Sequence, residues 1–246
     1  MIKVGVADYG INVWEGALYD HRDRLTMLKE IGYDGLERVE PKDAADAIEI
    51  VAIARQMGMD FATCRATSPR LSIQFSAALG LKYLWCEGTF GNDMERYTRR
   101  VNYQIEAAKK YGLKVLLHNH MGTVETPEQV ETFLEKCPES GLLLDVGHMA
   151  VAGGDPLYFI DKYFDRLGAV HVKDFVYKNR DAQEWSDRIR FCELGAGEMG
   201  DLNRQILLKL KDKGYEGWIH VEHDTHLQEP AKDLQISRDY MRDCGI

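Results

Sequence analysis

The chain has 246 residues, 45% hydrophobic and 29% charged, with 40 acidic against 31 basic side chains and a formal net charge of -9. This is the composition of a soluble globular protein able to bury a large core, and its acidic balance opposes nucleic-acid partners, whose affinity depends on lysine and arginine displacing counterions. No apolar run approaches the roughly 18 to 20 residues of a membrane span, and the opening MIKVGVADYG lacks a signal peptide's apolar stretch, so the expectation is a cytoplasmic protein with no membrane association.

Eight β-rich runs alternate with helical patterns, at residues 3–8, 34–39, 60–67, 82–87, 114–120, 141–145, 168–173 and 218–222. Such alternation marks a parallel α/β protein. Eight strands in a chain near the roughly 250 residues typical of that fold predict a closed (β/α)8 TIM barrel, with residues 1–246 as one domain. No GxGxxG follows the first run, as a doubly wound dinucleotide-binding sheet would often carry. Between the fourth and fifth runs, Met94, Tyr97, Val101, Ile105 and Ala108 recur every three or four positions and predict a helix with one apolar stripe. Thr126-Pro127-Glu128-Gln129 and Asp155-Pro156 read as helix entrances, and all six prolines fall in connections or first turns. The charged stretch 174–201, glycine-rich at its end, reads as a lid or pocket wall. Cys64, Cys86, Cys137, Cys192 and Cys244 are odd in number with no CxxC spacing, which predicts reduced, mostly core thiols.

In such a barrel the active site lies at the C-terminal ends of the strands. Those ends are polar here. They present Glu37 and Glu40, then Glu87, His118-Asn119-His120, Asp145 with His148, His171 with Lys173 and Asp174, and finally His220, Glu222 and Asp224. Singly, each could be a satisfied histidine or a salt-bridged carboxylate. Together, His118, Asp145, His171 and Glu222 converge from four strands, and buried charge is costly unless paired or metal-bound. They are therefore the predicted ligands of one divalent metal ion, with positions left for water or substrate. Nitrogen and oxygen donors without thiolate suit manganese, cobalt, zinc, iron or nickel. Lys173 reads either as a substrate contact or as the partner of Asp145 or Glu222. Glu37 and Glu87 read as pocket carboxylates or rim salt bridges, and Trp14, Trp85 and Trp185 as walls for a sugar ring or as packing.

The motifs Leu144-Asp145-Val146-Gly147-His148, His171-Val172-Lys173-Asp174, Leu194-Gly195-Ala196-Gly197 and Gly214-Tyr215-Glu216-Gly217-Trp218 resemble the sugar phosphate isomerase/epimerase superfamily of xylose isomerase-like barrels. Within it, His118-Asn119-His120-Met121-Gly122-Thr123 and Gly153-Gly154-Asp155-Pro156 are most similar to the inosose dehydratases, which remove water from a keto-inositol with a divalent metal. The resemblance implies that Asp145, His171 and Glu222 are metal ligands. Many relatives carry glutamate where this chain has His118, so ligation there rests on strand register, with His120 as the rival.

That departure disfavours two-faced epimerisation, because a metal-bound imidazole has already donated the lone pair that would shuttle a proton. The expected activity is a metal-dependent carbon-oxygen lyase acting on a keto-sugar or keto-polyol such as inosose. Glu222 is the expected base, His120 or His148 the acid, and Lys173 a further catalytic candidate. Alternatives are a ketose isomerase or epimerase, a lyase of 3-keto glycosides with or without a partner subunit, and a non-catalytic sugar-binding barrel. A small homo-oligomer is a further expectation from the resemblance.

Overall fold

A computed structural model describes residues 1–14, 20–88, 90–120, 122–226 and 228–246. Its strands are β1 (Lys3–Ala7), β2 (Gly35–Val39), β3 (Asp60–Cys64), β4 (Tyr83–Trp85), β5 (Lys114–His118), β6 (Gly141–Asp145), β7 (Leu167–Val172), β8 (Asp174–Tyr177), β9 (Ile189–Cys192) and β10 (Trp218–Glu222). The helices are α1 (Tyr9–Val13), α2 (His21–Ile31), α3 (Ala44–Gln56), α4 (Pro69–Leu79), α5 (Met94–Lys109), α6 (Pro127–Lys136), α7 (Val146–Val151), α8 (Pro156–Lys162), α9 (Trp185–Arg188), α10 (Gly200–Asp212) and α11 (Pro230–Asp243). Eight parallel strands close into a barrel in the order β1-β10-β7-β6-β5-β4-β3-β2, while β8 and β9 form a separate two-stranded sheet. This is the (β/α)8 barrel that the eight runs predict.

Contacts group the chain into two compact units, one of Met1–Glu37, Ile53–Asp60 and Val170–Ile246, the other of Arg38–Ala52 and Phe61–Ala169. In the first, β1 and β10 pair in parallel from Lys3 opposite Trp218 to Ala7 opposite Glu222. Every residue of β10 is buried, as expected of a strand covered on both faces. In the second, β5 pairs with β6, and Leu142, Leu143 and Leu144 are buried. The stripe predicted on α5 packs inward, with Tyr97, Val101, Ile105 and Ala108 buried and Met94 half-buried at the helix start.

The helix entrances follow local chemistry. Thr126 and Gln129 make the reciprocal bonds of a capping box with Pro127 in the first turn, and Asp155 caps α8 ahead of Pro156. Pro69 and Pro230 likewise occupy first turns. Five of the predicted runs stop short: the first ends at Ala7, the third at Cys64, the fourth at Trp85, the fifth at His118 and the seventh at Val172.

The segment expected to be one long irregular loop is partly ordered. β8 and β9 pair antiparallel over four positions, from Asp174 opposite Cys192 to Tyr177 opposite Ile189, with α9 in the connection. Phe175, Ile189 and Phe191 are buried. Beyond this hairpin, the Asp174 carboxylate accepts hydrogen bonds from the backbone N–H groups of Phe175, Gly195, Gly197 and Met199. Burial is the largest influence on its pKa and raises it, and those four donors pull it down.

All five cysteines are free, and all but Cys86 are buried. Burial pushes the thiols of Cys64 and Cys192 up to about 12 and that of Cys137 up to about 11, with Arg166 opposing the last shift. Since the thiolate is the nucleophile, alkylation near neutral pH should label these three only after denaturation. Mass spectrometry before and after unfolding checks this, and rapid labelling of the folded chain at Cys64, Cys137 or Cys192 would contradict it. No helix among the described residues is long and apolar enough to cross a membrane.

Candidate metal centre

In the unit holding β5 and β6, the strands end together because Asn119 bridges them. Its Nδ2 donates to the carbonyl of Asp145 at 3.0 Å, and its Oδ1 accepts from the Asp145 N–H at 2.9 Å. The Asp145 carboxylate is then divided between two tasks. Oδ1 accepts from the His148 N–H at 2.9 Å and caps α7. Oδ2 faces His118 Nε2 at 3.4 Å and His148 Nε2 at 3.9 Å. His118 is the last residue of β5 and packs tilted against Trp85, with ring centres 4.7 Å apart. His120 lies beyond the strand end, half-buried, with its ring 3.9 Å from that of His148. Met121 of the same motif lies outside the described residues.

In the unit holding β7 and β10, His171 is fully buried between two carboxylates. Its Nδ1 is 2.6 Å from Glu222 Oε2 and its Nε2 is 2.9 Å from Glu37 Oε1. Lys173 lies 3.0 Å from Glu222 Oε2 and 2.9 Å from Asp224 Oδ2, with its ammonium 4.9 Å from the centre of the Phe191 ring. The pairing of Lys173 with Glu222 weighed from sequence is therefore present, joined by Asp224. Glu37, Glu222 and Asp224 are three buried carboxylates, of which Glu222 and Asp224 face the one Lys173 ammonium and Glu37 faces His171. Such an excess of negative charge is costly unless imidazolium or a cation offsets it.

Each unit thus brings one predicted imidazole ligand to one predicted carboxylate ligand, His118 3.4 Å from Asp145 in one and His171 2.6 Å from Glu222 in the other. Imidazole nitrogen beside carboxylate oxygen is the donor mixture that a divalent cation takes. The donor types leave manganese, cobalt, zinc, iron and nickel equally open. His120 and His148 lie together in one unit, and His220 groups with Glu37 and His171 in the other. The sequence did not assign Glu37 to His171 or Asp224 to Lys173, because both partnerships join residues far apart in the chain.

A carboxylate on the far nitrogen of a ligating histidine fixes its ring and raises its basicity. Were His171 to hold an ion through Nδ1, Glu37 beside Nε2 would stand in that relation to it. Glu37→Gln should weaken metal affinity by about 10- to 100-fold, measured by competition with a chromophoric chelator. Unchanged affinity would remove Glu37 from that role.

A recess of about 230 Å³ is lined by Arg38, Thr63, Cys64, Arg65, Trp85 and Glu87 among others. Burial raises the pKa of Glu87, opposed by a hydrogen bond with Ser72 and the charge of Arg65. Trp85, one of the three candidate walls, also packs under the Arg38 guanidinium at 4.7 Å. Trp14 meets the edge of His226 and Trp185 packs on Phe191. A larger groove of about 840 Å³, lined in part by Arg70, Arg100, Tyr103 and Tyr111, contains none of the predicted ligands or acid-base groups.

Residues 25–244 match the profile of the xylose isomerase-like TIM barrel family. The chain belongs to this family. As a xylose isomerase-like barrel, it is 32% identical over 162 residues to an inosose dehydratase of Lactiplantibacillus plantarum, across 61% of this chain and 54% of that protein. It is also 32% identical over 148 residues to an inosose dehydratase of Clostridium perfringens, across 55% of this chain and 50% of that protein. The matched region thus spans about half the length of these curated relatives. Among solved structures, the probable 3-DHS dehydratase AsbF involved in petrobactin synthesis from Bacillus anthracis shares the fold with a TM-score of 0.74. That match covers 99% of each chain at 14% identity. The His/Asp/Glu clustering in this xylose isomerase-like barrel is consistent with one divalent-metal site at the strand ends.

Proposed function

We propose that this chain is a divalent-metal-dependent carbon-oxygen lyase that removes water from a keto-polyol or keto-sugar, with inosose the first substrate to test, and that residues 1–246 act as one domain. The observation that carries this reading is the placement of the four predicted ligands at or beside the ends of barrel strands, with His118 3.4 Å from Asp145 and His171 2.6 Å from Glu222. The stretches of 32% identity to inosose dehydratases support the choice of substrate.

In this reading those four residues hold the ion. When bound, it supplies positive charge beside the ketone oxygen on which enolate charge develops. Glu222, 5% exposed at the end of β10, takes the proton α to the carbonyl. His120 is half-buried whereas His148 is only 1% exposed, so His120 is better placed to reach a substrate and protonate the departing β-hydroxyl. The α C–H and β C–O bonds break, a carbon-carbon double bond forms, and one water leaves. Lys173 holds Glu222 from the side of Asp224, and Trp85 walls the pocket next to His118.

Incubation of the metal-loaded protein with a panel of keto-inositols and keto-sugars in deuterated water tests the reading. Loss of one water from the product is expected, and chelation should abolish it. Deuterium incorporated into a sugar of unchanged formula would replace the lyase by an epimerase or isomerase, and no conversion of any member would overturn the substrate class.

A further inference from the structure

Immediately after Glu222 the backbone turns its next side chain the other way, as alternation along a strand requires. Glu222 meets His171, whereas His223 meets α11, its Nε2 lying 3.3 Å from Ser237 Oγ. Behind β10, His223, His226 and Asp233 are all buried, and their ligand atoms lie within 4.8 Å of one another. His226 Nδ1 is 3.1 Å from Asp233 Oδ2, and His223 Nδ1 is 3.9 Å from the same oxygen. That His223 nitrogen is buried and makes no hydrogen bond.

From this cluster we propose a second divalent-cation site, separate from the strand-end centre, formed by His223, His226 and Asp233 and suited to a first-row transition ion such as zinc or cobalt. Three observations carry it. The donors are two imidazoles and one carboxylate, the mixture such ions select. An ion about 2.0–2.1 Å from each donor in a tetrahedral setting needs donors roughly 3.3 Å apart, and the measured 3.1 and 3.9 Å bracket that spacing. The histidines are also oriented from outside the cluster. Ser237 Oγ accepts from the Leu194 N–H at 3.1 Å and lies 3.3 Å from His223 Nε2; in the tautomer with the proton on Nε2, the Nδ1 lone pair is left for the ion. Gly10 lies against this segment so closely that a β-carbon there would collide with the His223 carbonyl and press on the His226 ring.

The group holds three protein donors, so a fourth position would be filled by water. An ion in this place would tie the first turn of α11 to the segment following Glu222. It would therefore act as a structural clamp one residue from the strand-end centre. The competing arrangement is a metal-free network in which His226 shares a proton with Asp233.

The test is ion counting on the whole protein, stripped with chelator, dialysed against cobalt and read by elemental analysis and visible absorption. Wild type should hold two equivalents. His226→Gln and, separately, Asp233→Asn should each hold one, with far-ultraviolet circular dichroism confirming the fold. Asp145→Asn, which disables the strand-end centre, should also hold one, and Asp145→Asn with His226→Gln none. One equivalent in wild type that survives His226→Gln but is lost in Asp145→Asn would overturn the second site and leave the first. One equivalent that survives Asp145→Asn but is lost in His226→Gln would do the reverse. Two equivalents retained in both His226→Gln and Asp233→Asn would also overturn the proposal. Failure of both Gln and Asn variants to fold moves the decision to wild type, where a count of one overturns it.

Discussion

Glu222→Gln should lower turnover by roughly 10²- to 10⁴-fold, the range lost when a positioned general base is removed. Glutamine keeps the length and shape of the side chain and discards its charge and its proton-accepting oxygens. The surroundings are arranged to tolerate that change sterically. Glu222 ends a fully buried strand, 2.6 Å from His171 and 3.0 Å from Lys173. Lys173 keeps Asp224 at 2.9 Å, so its ammonium remains paired and the variant avoids the large penalty of an uncompensated buried charge. Folding should therefore survive while chemistry does not.

Glu222 is assigned two roles, ligand and base, and the same variant separates them. Loss of turnover at full metal content, with no recovery in excess metal, is the expected result and marks the carboxylate as the base. Turnover that falls with metal content and returns when the ion is added in excess would reduce Glu222 to a ligand. Turnover equal to wild type at full metal content would move the proton transfer to another group.

How much of this could be read from sequence depends on the range of the interaction concerned. The barrel was legible because alternating strand and helix patterns are local, and so were the entrances at Thr126 and Asp155, where cap and proline lie side by side. Asp145, His171 and Glu222 were legible as strand-end residues because each sits at or one residue before the end of an apolar run whose period fixes which way it faces. His118 was reached by register, and the strand does end there. The shortening of β5 follows from Asn119, whose side chain replaces ladder bonding with a bridge to the Asp145 backbone. No periodicity announces such a bridge. The hairpin β8–β9 was missed because its strands are four residues each and its connection is long and charged, without the two-residue turn that signals a hairpin. Glu37 was weighed only as a rim or pocket carboxylate. Its partner His171 lies 134 positions away, and only closure of the sheet brings them together.

Asp174→Asn should destabilise the fold by about 2–4 kcal/mol, given that each buried donor left unsatisfied costs about 1–3 kcal/mol. The substitution is isosteric, and in most buried places it would be mild. Here each carboxylate oxygen accepts two backbone N–H groups, Phe175 at 2.8 Å and Met199 at 2.9 Å on Oδ1, Gly195 at 3.0 Å and Gly197 at 3.2 Å on Oδ2. Asparagine must turn an NH₂ group toward one of these pairs, and either orientation sets donor against donor. The turn has no room to rearrange, because Gly197 approaches the Asp174 carboxylate and the Phe175 carbonyl so closely that a β-carbon would collide with both. The consequence reaches the metal centre through α10, where Asn203 Nδ2 donates to the carbonyl of Lys173 at 2.8 Å, the residue that pairs with Glu222. Urea denaturation at neutral pH should show a lower midpoint with an unchanged slope, together with faster proteolysis within 195–199. A midpoint equal to wild type would mean that the four N–H groups find water when the carboxylate is lost, and that Asp174 is no anchor for the turn.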